Sequence, residues 1–125
     1  SPLRNQDDLK GVVDLLESND TSKNIITGTP ARRSPYFNLI ELDESGRVNL
    51  SGKRQNIDGT IVRRQDAPPC FDMNASIYAW WRDSLLKARH VIQSSTRLYV
   101  MPEERSVDID TELDFRWVEF LMNNE

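Results

Sequence analysis

Two aspartates two residues apart, Asp108 and Asp110 in the run Val107-Asp108-Ile109-Asp110-Thr111, are the sharpest chemical feature of the sequence. In an extended chain residues i and i+2 face the same side, so both carboxylates would point together while Ile109 turns into the core. A carboxylate pair at a strand end suits a hard cation such as Mg²⁺, which takes oxygen ligands and commonly bridges to substrate phosphates. The plainer reading makes Asp108 a solvated turn acid and Asp110 a helix-start acid. Arg63-Arg64-Gln65-Asp66 offers planar guanidinium forks that match a carboxylate or phosphate bidentately, with the Gln65 amide able to add a contact. Alone, such a pair is a solvated loop. Asn74 can donate to and accept from sugar hydroxyls, with Tyr78 lining the same face; otherwise Asn74 caps a turn and Tyr78 is a core residue with its hydroxyl at the rim. Trp80, Trp81 and Trp117 are most simply core or dimer-interface residues. Cys70 and His90 lack triad partners and read as structural. No Gly-x-x-x-x-Gly-Lys-[Ser/Thr] loop or Gly-x-Gly-x-x-Gly is present, so the chain shows no phosphate cradle of its own.

The elements that must position these residues alternate in type. Asn5 is a candidate N-cap, Asp7 and Asp8 suit the first turn, and Leu9, Val12, Val13 and Leu16 recur at helical spacing, which predicts an amphipathic helix over 6–17. A loop over 18–22 leads to a short strand over 24–27, stopped by Gly28-Thr29-Pro30. An apolar-rich strand over 37–42 turns at Asp43-Glu44-Ser45-Gly46 into a hairpin partner over 47–50, and 51–66 is polar. A strand over 76–81, a helix over 82–93 and a strand over 97–101 follow. Thr111-Glu112-Leu113-Asp114 is a capping box that opens a terminal helix. Helices alternating with short strands predict an α/β layer fold.

Composition bounds the partners. The chain has 125 residues, 38% hydrophobic and 29% charged, with a net charge of −4. One domain or part of one is expected at this length. The negative balance argues against nucleic acid as a partner, and no apolar run is long enough for a membrane span. One cysteine and one histidine exclude an intrachain disulfide, a multi-cysteine zinc site and His-x-x-x-His chemistry. One thiol and no signal-like start point to a reducing, cytoplasmic compartment.

Taken together, five ordered motifs resemble the acylneuraminate cytidylyltransferases, the CMP-sialic acid synthetases and their relatives. They are Ser1-Pro2-Leu3-Arg4 before a helix with Asp7-Asp8; Ser34-Pro35-Tyr36-Phe37; Arg63-Arg64-Gln65-Asp66 with Pro68; Asn74-Ala75-Ser76-Ile77-Tyr78; and Asp108-Ile109-Asp110-Thr111 with Asp114-Phe115. The resemblance implies a Rossmann-like three-layer nucleotide-diphospho-sugar transferase fold, of which 1–125 is the C-terminal part of one domain; a nucleotide-binding half precedes the corresponding segment in such enzymes. It implies that CTP and a nonulosonic acid give the CMP-sugar and pyrophosphate, with Asp108 and Asp110 holding Mg²⁺ or another divalent cation. Arg64, with Gln65, would hold the sugar acid or an adjacent site group, and Asn74 and Tyr78 would line the sugar pocket. It implies a homodimer with 37–60 as candidate arm. Ala75 departs from the pattern, since many members have Gly there, and the departure points to a subgroup that uses a different nine-carbon acid such as legionaminic acid. An octulosonate cytidylyltransferase and a non-catalytic dimerisation or binding fragment are the alternatives.

Overall fold

The chain runs α1 (Gln6–Glu17), β1 (Asn24–Pro30), β2 (Ile40–Leu42), β3 (Val48–Leu50), β4 (Phe71–Trp80), α2 (Arg82–Lys87), β5 (Arg97–Val100) and α3 (Glu112–Asn123), with single 3-10 turns at Arg64–Asp66 and Glu103–Arg105. This computed structural model describes residues 1–18 and 21–124; Asn19 and Asp20 of the loop expected after α1 lie outside them. The described residues form two compact units, one of 1–29 with 72–124 and one of 30–71.

In the first unit, α1 starts at Asn5 by a reciprocal cap. The Asp8 N–H donates to Asn5 Oδ1 at 3.0 Å and the Asn5 N–H donates to Asp8 Oδ2 at 3.1 Å. The buried stripe is Asp8, Val12 and Leu16, whereas Leu9 and Val13 are each 47% exposed. The expected apolar face is therefore rotated toward Asp8, because the carboxylate is satisfied inside the protein and can take the position one turn before Val12. Val12 and Leu16 pack on Ile25 of β1, with Leu15, Ile77, Ala79 and Tyr99 around them.

The sheet has the order β4-β1-β5. β5 lies parallel to β1 in the register Ile25↔Arg97 to Gly28↔Val100, and the Met101 N–H extends the ladder to the Gly28 carbonyl at 2.7 Å. The α/β class is borne out, as the part of a Rossmann-like sheet that this parallel pair supplies. β1 does not stop at Gly28. Without a side chain there, Asp72 of β4 can approach, since a Cβ would stand 2.9 Å from its carbonyl oxygen. β4 is longer than expected, running from Phe71 to Trp80 rather than over 76–81.

The expected helix over 82–93 ends at Lys87. Leu85 and Leu86 are exposed, so no packing rewards continuing it. Buried Asn24 competes for the following segment, donating to the Val91 carbonyl at 2.7 Å and accepting from Thr96 Oγ1 at 2.7 Å. Residues 106–109 are irregular rather than a strand end, and Ile109 is 45% exposed instead of entering the core. α3 has the expected cap, with the Asp114 N–H on Thr111 Oγ1 at 3.2 Å and the Thr111 N–H on Asp114 Oδ2 at 3.0 Å. Trp81 and Trp117 are not core residues: both are exposed, and Trp117 stacks on Phe120 at a centroid distance of 5.7 Å.

In the second unit, residues 35–38 form a turn, so the strand expected over 37–42 shrinks to Ile40–Leu42. The Ser34 carbonyl takes the N–H groups of Phe37, Asn38 and Leu39, which holds those residues out of a ladder. The hairpin itself is as expected, β2 against β3 with Ile40 opposite Leu50. The candidate arm over 37–60 lies wholly within this unit.

Candidate functional site

The cap of α3 determines what Asp110 is free to do. Asp114, three residues into the cap, accepts from the Asp110 and Thr111 N–H groups, each at 3.0 Å. Those bonds hold its carboxyl below the usual range, the Asp110 N–H first among them. The helix-start work assigned to Asp110 in the plainer reading is thus done by Asp114. Asp110 is exposed, and its carboxylate has no protein hydrogen bond or ion pair among the described residues. Asp108 is half-buried and its Oδ1 lies 2.9 Å from the Ser1 amino nitrogen. If a residue precedes Ser1, that nitrogen is a peptide amide and the contact carries no full positive charge.

Two buried clusters flank this segment. Asp8 is fully enclosed and accepts from Arg105 twice, from Nε at 2.9 Å and from Nη2 at 3.0 Å. Burial pushes the Asp8 pKa up, but the Arg105 hydrogen bonds, the Asn5 N–H, the Arg105 charge and Tyr99 together outweigh it, and the net shift is downward. On the other side, Asn74 is only 6% exposed. Its Oδ1 accepts from Thr27 Oγ1 at 2.6 Å and from the Ser76 N–H at 3.1 Å, while Nδ2 donates to Ser106 Oγ at 3.1 Å and Met101 Sδ at 3.5 Å. The amide is fully engaged within the protein. The Ser106 hydroxyl in turn donates to the Pro102 carbonyl at 2.8 Å. Arg105 and Ser106, both anchored, lead directly into 107–110.

Asn74 and Tyr78 are not presented alike. Asn74 turns inward, whereas Tyr78 is 42% exposed. Ala75 between them sits at φ +51°, in the left-handed region that favours glycine. The Gly of the resembling enzymes has a backbone reason at this position, so Ala75 by itself says nothing of the sugar.

The second unit holds Arg64 and Gln65. In the turn at 64–66, Arg63 is tied locally, its N–H donating to Asp66 Oδ2 at 3.0 Å and its Nε at 3.4 Å. Arg64 is left to line a cavity of about 140 Å³. Arg32, Arg33, Ser34 and Phe37 line the same cavity from one strand of chain, and Ala67, Pro68 and Cys70 line it from the other. Gln65 is exposed and does not line it. Sequence reasoning missed the Arg32-Arg33 contribution, although two adjacent arginines just ahead of Ser34-Pro35-Tyr36-Phe37 were a visible signal.

Among the described residues no group of three His, Cys, Asp or Glu side chains could enclose a metal by itself, and no helix is long and apolar enough to cross a membrane.

No family model matches the chain. It is 42% identical, over all 125 residues and 50% of the relative's length, to post-translational flagellin modification protein B of Campylobacter coli. It is 48% identical over 99 residues, 79% of this chain and 40% of the relative, to CMP-N,N'-diacetyllegionaminic acid synthase of Campylobacter jejuni. A Streptococcus agalactiae N-acylneuraminate cytidylyltransferase is 27% identical over 115 residues, 92% of this chain and 26% of that protein. The resemblance to the acylneuraminate cytidylyltransferases is borne out, and relatives so named are nucleotidyltransferase enzymes. The chain spans half or less of the length of these curated relatives.

Proposed function

We propose that this chain is part of a cytidylyltransferase that joins CTP and a nonulosonic acid into a CMP-sugar, releasing pyrophosphate. Its homology to proteins named for CMP-legionaminic acid synthesis and N-acylneuraminate cytidylyl transfer is the observation that carries the reading. The higher identity to the former favours a legionaminic-type acid as the sugar. In such a reaction the anomeric hydroxyl oxygen of the acid bonds to the α-phosphorus of CTP while the bond to the pyrophosphate oxygen breaks. Transfer of this kind depends on positioning and charge neutralisation more than on covalent catalysis.

The residues fit those tasks unequally. Asp110 offers an uncommitted carboxylate and Asp108 a second one, and two carboxylates suit Mg²⁺, which completes its octahedron from water and substrate phosphates. A divalent cation held there would offset charge on the phosphate oxygens. Arg64 supplies a guanidinium for the sugar acid, and Gln65 and Tyr78 supply exposed polar groups for the substrate. Asn74 serves the site by position: its amide holds Ser106, and through it the approach to Asp108. The hairpin arm exposes Ile40, Leu42 and Val48, which supports a homodimer formed through 37–60. A cytoplasmic setting suits the use of CTP.

The deciding assay is pyrophosphate release from CTP and N,N'-diacetyllegionaminic acid by the intact protein, run alongside Asp108→Asn and Asp110→Asn. Each substitution keeps the shape and removes the charge. Each should cut kcat by roughly two orders of magnitude, the scale of one strong electrostatic contribution of about 3 kcal/mol, with little change in melting temperature. Near-normal turnover in both variants would reject the carboxylate assignment, and a wild-type protein without turnover on any keto-sugar acid would favour a binding or dimerisation role.

A further inference from the structure

Of the three arginines that line the cavity of the second unit, two, Arg33 and Arg64, have no side-chain partner among the described residues. Arg33 and Arg64 line the same space of about 140 Å³ from two different stretches of chain. Among the described residues neither guanidinium is engaged in an ion pair or a side-chain hydrogen bond. The nearest acid in sequence, Asp66, is taken by Arg63. Two guanidinium groups bordering one cavity repel each other, and an anion between them removes that repulsion.

We propose that Arg33 and Arg64 form a two-arginine cradle for the carboxylate of the sugar acid, with Arg33 as a specificity-determining residue. The proposal rests on the cytidylyltransferase reading above. The size of the cavity supports a headgroup rather than a whole ligand. Drug-sized ligands fill roughly 300–1,000 Å³, so a space of about 140 Å³ that opens to solvent suits the carboxylate of an acid whose ring lies outside it. The chemistry favours carboxylate over phosphate. Guanidinium forks take carboxylate and phosphate alike, so the choice rests on what else lines the space. Phe37, Ala67 and Pro68 supply apolar walls, whereas no glycine-rich loop or long helix start is present there to cradle a triphosphate.

The test compares the intact wild-type protein with Arg33→Gln and Arg33→Lys. Both changes are at an exposed position, and a melting curve checks folding. Binding of N,N'-diacetyllegionaminic acid and N-acetylneuraminic acid, and of the methyl esters of both, is measured by calorimetry, with CTP titrated separately. Arg33→Gln should weaken binding of the free acid by about tenfold or more, leave CTP within twofold, and erase most of the preference for acid over ester. Arg33→Lys should restore part of that preference but not all, since a point charge lacks the fork. A loss confined to CTP would assign the cradle to phosphate and overturn the proposal. Acid binding unchanged in Arg33→Gln would overturn it while leaving the cytidylyltransferase reading intact. Failure of the wild-type protein to bind either acid would overturn both.

Discussion

Arg105→Ala should destabilise the protein more than Asp8→Asn does, because the two changes leave different charges behind. The Asp8 side chain is fully buried and that of Arg105 is 31% exposed. Removing Arg105 takes away both charge-assisted bonds and leaves an enclosed carboxylate with the Asn5 N–H at 3.1 Å and a long contact to the Tyr99 hydroxyl at 3.5 Å. Breaking a fully buried pair costs about 3–5 kcal/mol, and the partial solvation of Arg105 lowers the expected loss to about 2–3 kcal/mol. Asp8→Asn keeps the shape and lets Arg105 swing into water, at a cost of about 1–2 kcal/mol. Urea denaturation at neutral pH measures both. The pH dependence supplies a second arm. The folded carboxyl titrates below its ordinary value, so its stabilising contribution is present above about pH 4, the unfolded carboxyl value, and is lost as pH falls through the lower folded value. The wild-type protein should therefore lose stability in that acid range more steeply than Asp8→Asn. A cost for Arg105→Ala under about 0.5 kcal/mol, or parallel acid profiles for the two proteins, would refute the reasoning.

Other positions give equally direct tests. Ala75→Gly relieves a left-handed residue, worth about 1–2 kcal/mol, against about 0.5–1 kcal/mol of added chain entropy; urea denaturation should show a net gain, and a loss would show that the Ala75 methyl packs usefully. Gly28→Ala places a Cβ at 2.9 Å from the Asp72 carbonyl oxygen and 3.1 Å from Leu98 Cδ1; because one neighbour is backbone, a loss of about 1–3 kcal/mol is expected, and a neutral result would mean that β4 yields without cost. The 1–125 chain on its own exposes Leu113, Phe115, Trp117, Phe120 and Met122 along α3; sedimentation and dye binding should reveal self-association and open apolar surface, and a monomer that binds no dye would contradict it.

What the sequence made legible was mostly local. The caps at Asn5 and Thr111 depend on residues three apart, so the helix over 6–17 and the start of the terminal helix were both readable. The β2–β3 hairpin followed from its turn. What was not legible depended on partners far along the chain. Helix α2 looked longer because Val91 kept the spacing, yet the Val91 carbonyl is claimed by Asn24, 67 residues away. The place of Asp8 inside the protein depended on Arg105, 97 residues away. Without that partner its sequence position read only as a dipole-favoured surface acid.

The candidate site shows the same division. In Arg63-Arg64-Gln65-Asp66 the motif was visible, but the division of labour was not: Arg63 closes on Asp66, and that closure is what leaves Arg64 to the cavity. In Asp108-Ile109-Asp110 the pair was visible for the wrong geometric reason, since no strand holds it. Its order comes instead from both sides, from Arg105 and Ser106 anchored before it and the Asp114 cap after it. A segment fixed at both ends with its last carboxylate uncommitted can meet a cation without first paying the full ordering cost of a free loop. The same anchoring separates the two roles that share this corner. Asn74, whose amide has no hydrogen-bonding capacity to spare, acts on substrate only through the backbone that it holds. Asp110, whose carboxylate has no partner among the described residues, is the group left for a ligand to meet.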